Sequence, residues 1–198
     1  MDIRKIGVIG AGQMGNGIAH VAALAGIDVA LHDLSEDRIK SGLATINGNM
    51  SRQLSKSLIS EEERQQALTR IEAAPQVADL GDCDMIIEAA TENEQVKVRI
   101  FQSVCPVLRP DAILATNTSS ISITRLASTT DRPERFIGIH FMNPVPVMQL
   151  VELIRGIATE DETFEASRAL CTKLGKTIAV AEDFPAFIVN RILLPMIN

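Results

Sequence analysis

Neither tryptophan nor tyrosine occurs in the 198 residues, so any fluorescence change on ligand binding must come from the ligand. Cysteine is scarce. Cys83, Cys105 and Cys171 stand too far apart for a C-x-x-C site and fall in apolar or helical settings. That excludes a disulfide scaffold and reads as three reduced packing residues of a cytoplasmic protein, with no metal site among them. No apolar run reaches the roughly 18 residues of a membrane-spanning helix, and the most apolar stretch, 184–197, is broken by Asn190, Arg191 and two prolines. A membrane partner is therefore not expected. The opening MDIRKIGVIGAG places charges before a short apolar run that leads into glycines without an A-x-A-like site, which reads as a buried strand and not a leader. Basic runs are also missing. With 19 Lys+Arg against 25 Asp+Glu, a net charge of -6, nothing is arranged to neutralise a phosphate backbone, and nucleic acid is not expected as a partner.

What is present is a globular composition, 46% apolar, long enough for one large domain or one domain plus a fragment. Short apolar runs alternate with segments of helical period, the rhythm of βαβ units. Strands are expected at 6–9, 27–31, 83–88, 112–116, 135–141, 148–154 and 176–180, and helices at 14–24, 36–56, 94–108 and 161–174. A further helix should open at Ser60, where Glu63 completes a capping box and Glu61, Glu62 and Glu63 suit the positive end of the helix dipole. The fold class that follows is α/β, a Rossmann-type doubly wound and mostly parallel sheet of roughly seven or eight strands. Polar residues follow strands directly at 89–97 and 116–120, where open α/β sheets hold ligands. One continuous domain is expected over residues 1–183. Residues 184–198, containing AFIVNRILLPMIN, then read as an uncapped apolar helix, the first of a truncated C-terminal helical domain.

Gly10-x-Gly12-x-x-Gly15 follows an apolar strand and opens a helix of small residues, with Gln13 and Met14 inside the motif. The first glycine permits the tight turn, the second lets backbone approach a pyrophosphate and the third allows close helix–strand packing, while the helix N-terminus offers amides to phosphate. Asp33 stands 23 residues after Gly10 at the end of the next strand. A carboxylate there accepts from ribose hydroxyls and repels a 2′-phosphate, and no arginine directly follows it. NAD is the expected cofactor, with FAD a formal alternative because it uses the same fingerprint. His20 and His32 receive no role.

The chemistry must come from the second half. Asn117-Thr118-Ser119-Ser120 follows one expected strand, Gly138-Ile139-His140-Phe141-Met142-Asn143-Pro144 ends another, and Glu152 is a single carboxylate in the apolar run Leu150-Val151-Glu152-Leu153-Ile154. A buried carboxylate needs a partner, and His140 is the one available.

Together with Phe187-Ile188-Val189-Asn190-Arg191, these segments closely resemble the L-3-hydroxyacyl-CoA dehydrogenase family, including its 3-hydroxybutyryl-CoA members. The likeness runs through IGVIGAGQMGNGIA, EAATENEQVK, NTSS, GIHFMNPVPVMQLVE and PAFIVNR. It implies exchange between the 3-hydroxyl and 3-ketone of an acyl-CoA thioester, short chains being favoured, with NAD as the hydride carrier. By the same resemblance His140 is the general base and Glu152 orients it, while Ser119 and Asn190 hydrogen-bond the substrate oxygen. Glu92, Lys97, Ser119 and Asn143 match cofactor contacts, and Lys56 matches a lysine that meets CoA. Asn49 replaces the serine the family places before that lysine. The family also implies a homodimer built through its further helical domain, and a cofactor-binding module of little activity is the alternative if that domain is required. Read without the resemblance, Ser119 could cap a short helix over 121–126, Asn143-Pro144 could be only a turn, and Lys56 or Asn190 could be solvated helix residues. Oxidation of a sugar acid or another hydroxy acid is a third reading, disfavoured because NTSS, HFMNP and PAFIVNR all occur together.

Overall fold

A computed structural model describes residues 1–197, residue 194 by its backbone alone; Asn198, the last residue of the expected C-terminal helix, lies outside the described residues. Eight strands form one sheet: β1 Lys5–Ile9, β2 Asp28–His32, β3 Ile71–Ala73, β4 Met85–Glu88, β5 Ile113–Thr116, β6 Phe136–Phe141, β7 Leu150–Arg155 and β8 Thr177–Glu182. Their order is β3-β2-β1-β4-β5-β6-β7-β8. The first six strands take the order of a dinucleotide-binding sheet, which reverses between β1 and β4. Every neighbouring pair is parallel except β6 with β7. Apolar clusters cover both faces of the sheet, which explains why β4, β5 and β6 read as continuous apolar runs and not as alternating ones.

Among the described residues six helices lie between strands, α1 Gln13–Leu24, α2 Glu36–Ser55, α3 Glu61–Thr69, α4 Glu94–Val104, α5 Ile123–Ala127 and α6 Asp161–Lys173, and a seventh, α7 Val189–Ile197, follows β8. The capping box at Ser60 is formed in both directions, Glu63 N donating to Ser60 Oγ at 3.1 Å and Ser60 N to Glu63 Oε2 at 2.7 Å. All three cysteines are free and buried, and burial pushes the Cys83 and Cys171 thiols up to about 12. Among the described residues no helix is long and apolar enough to cross a membrane.

Four expectations change. The short strand β3 is additional, paired only with β2. Helix α4 stops at Val104 rather than near residue 108, because Pro106 has no amide to continue it and a 3-10 turn follows. Ser122, not Ser119, caps α5: its hydroxyl accepts from Arg125 N. Helix α7 begins at Val189 rather than 184. Before it, Ala186 and Phe187 take left-handed backbone angles (φ 67° and 50°), which turns Phe187 into the core and prevents a continuous helix.

Candidate active site

The glycine turn between β1 and α1 lies at the point where strand order reverses. Gly10 has φ +105°, and a Cβ there would come within 2.8 Å of the Ala89 and Ala90 backbone, so only glycine fits the turn. A Cβ on Gly15 would lie 1.7 Å from the Gly10 carbonyl oxygen, whereas one on Gly12 would meet nothing within 4 Å. The helix therefore packs tightly on the strand while the middle of the turn faces open space. That is the arrangement a pyrophosphate requires at the start of a 12-residue helix.

Asp33 follows β2 and is held from two sides: Ala11 N donates to its Oδ2 at 2.8 Å and Leu34 N to its Oδ1 at 2.7 Å. It is fixed beside Gly10 in a pocket of about 340 Å³, and each oxygen retains a lone pair for a further donor. An adjoining cleft of about 700 Å³ is lined by Gly12, Gln13, Met14, Glu92, Lys97, Ser119, His140, Asn143 and Asn190 among others. Together with Asp33 and Gly10 next door, the structure gathers most of the sequence-derived set. Gly15 and Glu152 line neither cavity but pack directly against Gly10 and His140, which do; Lys56 stands apart. It is the exposed C-cap of α2 and lines neither of these cavities.

His140 and Glu152 meet because β6 and β7 are antiparallel, a reversal that sets the two residues directly opposite each other. His140 Nδ1 lies 2.7 Å from Glu152 Oε2, and Glu152 is fully buried. Its other oxygen, Oε1, accepts from Ile188 N and Val189 N, both at 2.9 Å. A carboxylate only accepts, so in the neutral imidazole the Nδ1 proton belongs to this hydrogen bond and Nε2 carries the lone pair. Phe187 packs against the imidazole with ring centroids 6.0 Å apart. One carboxylate thus fixes both the histidine and the start of α7, whose second residue, Asn190, donates from Nδ2 to Ser119 O at 3.2 Å.

Glu92 organises the opposite wall. Its Oε1 accepts from Thr118 Oγ1, Ser119 N and Ser119 Oγ at 2.8 Å each and from Ser120 Oγ at 3.1 Å. Partial burial alone would raise its pKa, but the donors of Thr118 and Ser119 and the Lys97 charge outweigh it and hold Glu92 below the usual carboxylate range. Lys97 is itself buried, bonded to Glu88 Oε2 at 2.5 Å and 3.9 Å from Glu92 Oε2. Glu88 also accepts from Thr116 Oγ1 at 2.8 Å and from Ala90 N at 2.9 Å.

Sequence reasoning had no role for Glu88, which ties the Lys97 charge to the Ala90 loop beneath Gly10. It named Asn117 within the NTSS segment without a role, where its Oδ1 accepts from Phe141 N at 2.9 Å, and it missed Asp183, which accepts from Ser122 Oγ, Ile123 N and Thr124 N at 2.8 Å each. The available signal was a polar residue at the end of an apolar strand.

The sequence profile for "3-hydroxyacyl-CoA dehydrogenase, NAD binding domain" matches residues 5–184. The chain belongs to the 3-hydroxyacyl-CoA dehydrogenase family. It is 70% identical over 196 residues to 3-hydroxybutyryl-CoA dehydrogenase of Bradyrhizobium diazoefficiens, covering 99% of this chain and 67% of that relative. It is also 45% identical over 198 residues to a probable 3-hydroxybutyryl-CoA dehydrogenase of Bacillus subtilis, covering 100% and 69%. Among solved structures, (S)-3-hydroxybutyryl-CoA dehydrogenase from Ralstonia eutropha superposes with a TM-score of 0.98 at 47% identity, over 100% of this chain and 70% of that one. As an NAD-dependent member of this dehydrogenase family, the chain binds NAD, and the open space before Gly12 beside a fixed Asp33 fits that cofactor.

Proposed function

We propose that this 3-hydroxyacyl-CoA dehydrogenase interconverts short-chain 3-hydroxyacyl-CoA, 3-hydroxybutyryl-CoA foremost, and the 3-ketoacyl-CoA, with His140 as general acid and base. The observation that carries this reading is the buried Glu152, which holds His140 by Nδ1 so that Nε2 presents a lone pair. The 70% identity to a 3-hydroxybutyryl-CoA dehydrogenase supports the chain length.

Bound NAD supplies the hydride acceptor for oxidation. Gly10, Gly12, Gly15, Gln13 and Met14 hold its diphosphate end, Asp33 accepts from a ribose, and Glu92, Lys97, Ser119 and Asn143 flank the opposite end. Toward the substrate, His140 Nε2 takes the proton of the 3-hydroxyl in oxidation and returns it in reduction. Glu152 stabilises the imidazolium formed in between. Asn190 uses one amide hydrogen for Ser119 O and directs the other at the substrate oxygen; Ser119 Oγ, bonded to Glu92 without substrate, is the second group for that oxygen. Two positioned groups keep the oxygen within reach of the base, which removes much of the entropic cost of the step. Lys56 meets the CoA portion at the outer end of α2.

Residues 1–183 form the NAD-binding domain in this reading, and 184–198 begin a second, helical one. The match to the family profile ends at residue 184, which supports that boundary. A second reading, in which this chain binds NAD yet turns over slowly, is supported by α7. It carries Asn190 but exposes Ile192, Met196 and Ile197, so the helix that positions the substrate oxygen lacks a full packing surface.

The test is loss of NADH absorbance on adding acetoacetyl-CoA, with NADH fluorescence titrated in parallel. Sustained oxidation is the predicted result. Binding without oxidation supports the second reading, and no binding refutes the site.

A further inference from the structure

We propose that Arg38 is a latent receptor for a 2′-phosphate, and that NAD is selected because Asp33 opposes this group, not because a cation is lacking. The inference rests on the reading of Asp33 as the ribose-binding carboxylate. No arginine directly follows Asp33 in sequence, but the first turn of α2 carries Arg38 back to it. Arg38 Nη1 lies 3.7 Å from Asp33 Oδ1, and both line the pocket of about 340 Å³ beside Gly10.

The two partners are held very differently. Asp33 is 9% exposed and anchored by the Ala11 and Leu34 amides. The Arg38 side chain is 69% exposed, and Asp33 is its one ion-pair partner among the described residues, at a distance too long for a hydrogen bond. A fixed anion thus faces a cation that moves at little cost, since exposed ion pairs contribute little. The nearby Glu36, also in the first turn of α2, is paired with Lys40 at 3.7 Å.

A 2′-phosphate entering this pocket meets the immobile Asp33 charge first, and that repulsion dominates. Once the Asp33 charge is removed, the guanidinium loses its neutralising partner and can fork onto the phosphate oxygens. The specificity of the site is then a balance between two side chains, with the attractive half already in place.

The test measures binding, so it does not depend on turnover. Dissociation constants for NADH and NADPH come from cofactor fluorescence, and those for 5′-AMP and 2′,5′-ADP from calorimetry. In Asp33→Asn the preference for NADH over NADPH should shrink about 100-fold, and adding Arg38→Ala should restore about 10-fold of it. In the wild-type background, which avoids any folding defect of the Asp33 variant, Arg38→Ala should weaken 2′,5′-ADP about 3-fold more than 5′-AMP, a smaller effect than in Asp33→Asn because the Asp33 carboxylate still neutralises the guanidinium, with Arg38→Lys intermediate. NADPH bound equally well by Asp33→Asn with and without Arg38 would overturn the proposal, as would equal weakening of 2′,5′-ADP and 5′-AMP by Arg38→Ala. If Asp33→Asn leaves both NADH affinity and the preference unchanged, the ribose reading itself fails and the proposal with it.

Discussion

The buried ionisable side chains near the strand ends each carry a partner that sequence spacing hides. Glu88 and Lys97 lie nine residues apart in sequence and join as a buried pair, with the remaining acceptor positions of Glu88 filled by Thr116 and Ala90. Removing one partner of such a pair leaves an unmatched charge, whereas the intact pair is close to neutral for stability. His20 is the less satisfied case. It is fully buried on α1, its Nε2 is 2.9 Å from Gln53 Oε1, and its Nδ1 has no partner. Burial lowers its proton affinity below the ordinary 6.5, more than the Gln53 contact raises it, and the Lys176 charge adds to the lowering. The neutral form is thus the one the fold accepts. Its contribution to stability is complete above about pH 6.5 and is lost as pH falls below that, because the unfolded chain protonates first. Urea midpoints measured from pH 7.5 to 5 should therefore fall, and His20→Asn should flatten that part of the curve. An unaltered pH slope in His20→Asn would contradict the assignment.

At the scale of elements, Glu152 couples two pieces of structure that the sequence separates. It fixes His140 on β6 through one oxygen and the amides of Ile188 and Val189, at the start of α7, through the other, so the proposed base and the helix proposed to position the substrate share one anchor. The account predicts that Glu152→Gln keeps the amides of Ile188 and Val189 protected from hydrogen exchange, since the Gln carbonyl still accepts. Glu152→Ala should expose them, raising exchange at least about 10-fold. Equal protection in the two variants would show that α7 is held by something else. The same region marks the limit of sequence reading. Periodicity gave an apolar helix from residue 184, but it cannot see that Phe187 is drawn into the core and that Glu152 needs donors. By contrast β1, α1 and β2 were legible, because the glycine spacing and the period of the apolar residues are local signals. So was the start of α3, whose Ser60 and Glu63 make their bonds within one turn. The strand β3 was not: it has three residues, and only Ile71 among them is even partly buried.

Across the whole molecule, the sheet order brings the ends of β1, β2, β4, β5 and β6 to one edge, so residues from Gly10 to Asn190 converge on adjoining cavities. The parallel half of that order follows from the alternation of strand and helix. The single reversal between β6 and β7 does not, and that reversal sets His140 opposite Glu152. Chemistry paired them correctly because a carboxylate in an apolar strand requires a partner, although nothing in the spacing gives strand direction. Arg38 was overlooked for a related reason, since a helical turn changes which residue is the neighbour of Asp33. The central claim is that the glycine turn and Asp33 bind the cofactor while His140 performs the proton transfer, so binding and chemistry should separate. The most direct measurement is His140→Gln, assayed for acetoacetyl-CoA-dependent NADH oxidation and, in the same preparation, for NADH affinity by fluorescence. The account predicts turnover lower by about 1000-fold with NADH affinity within about twofold of wild type. Turnover within about tenfold of wild type, or parallel loss of turnover and NADH binding, would contradict it.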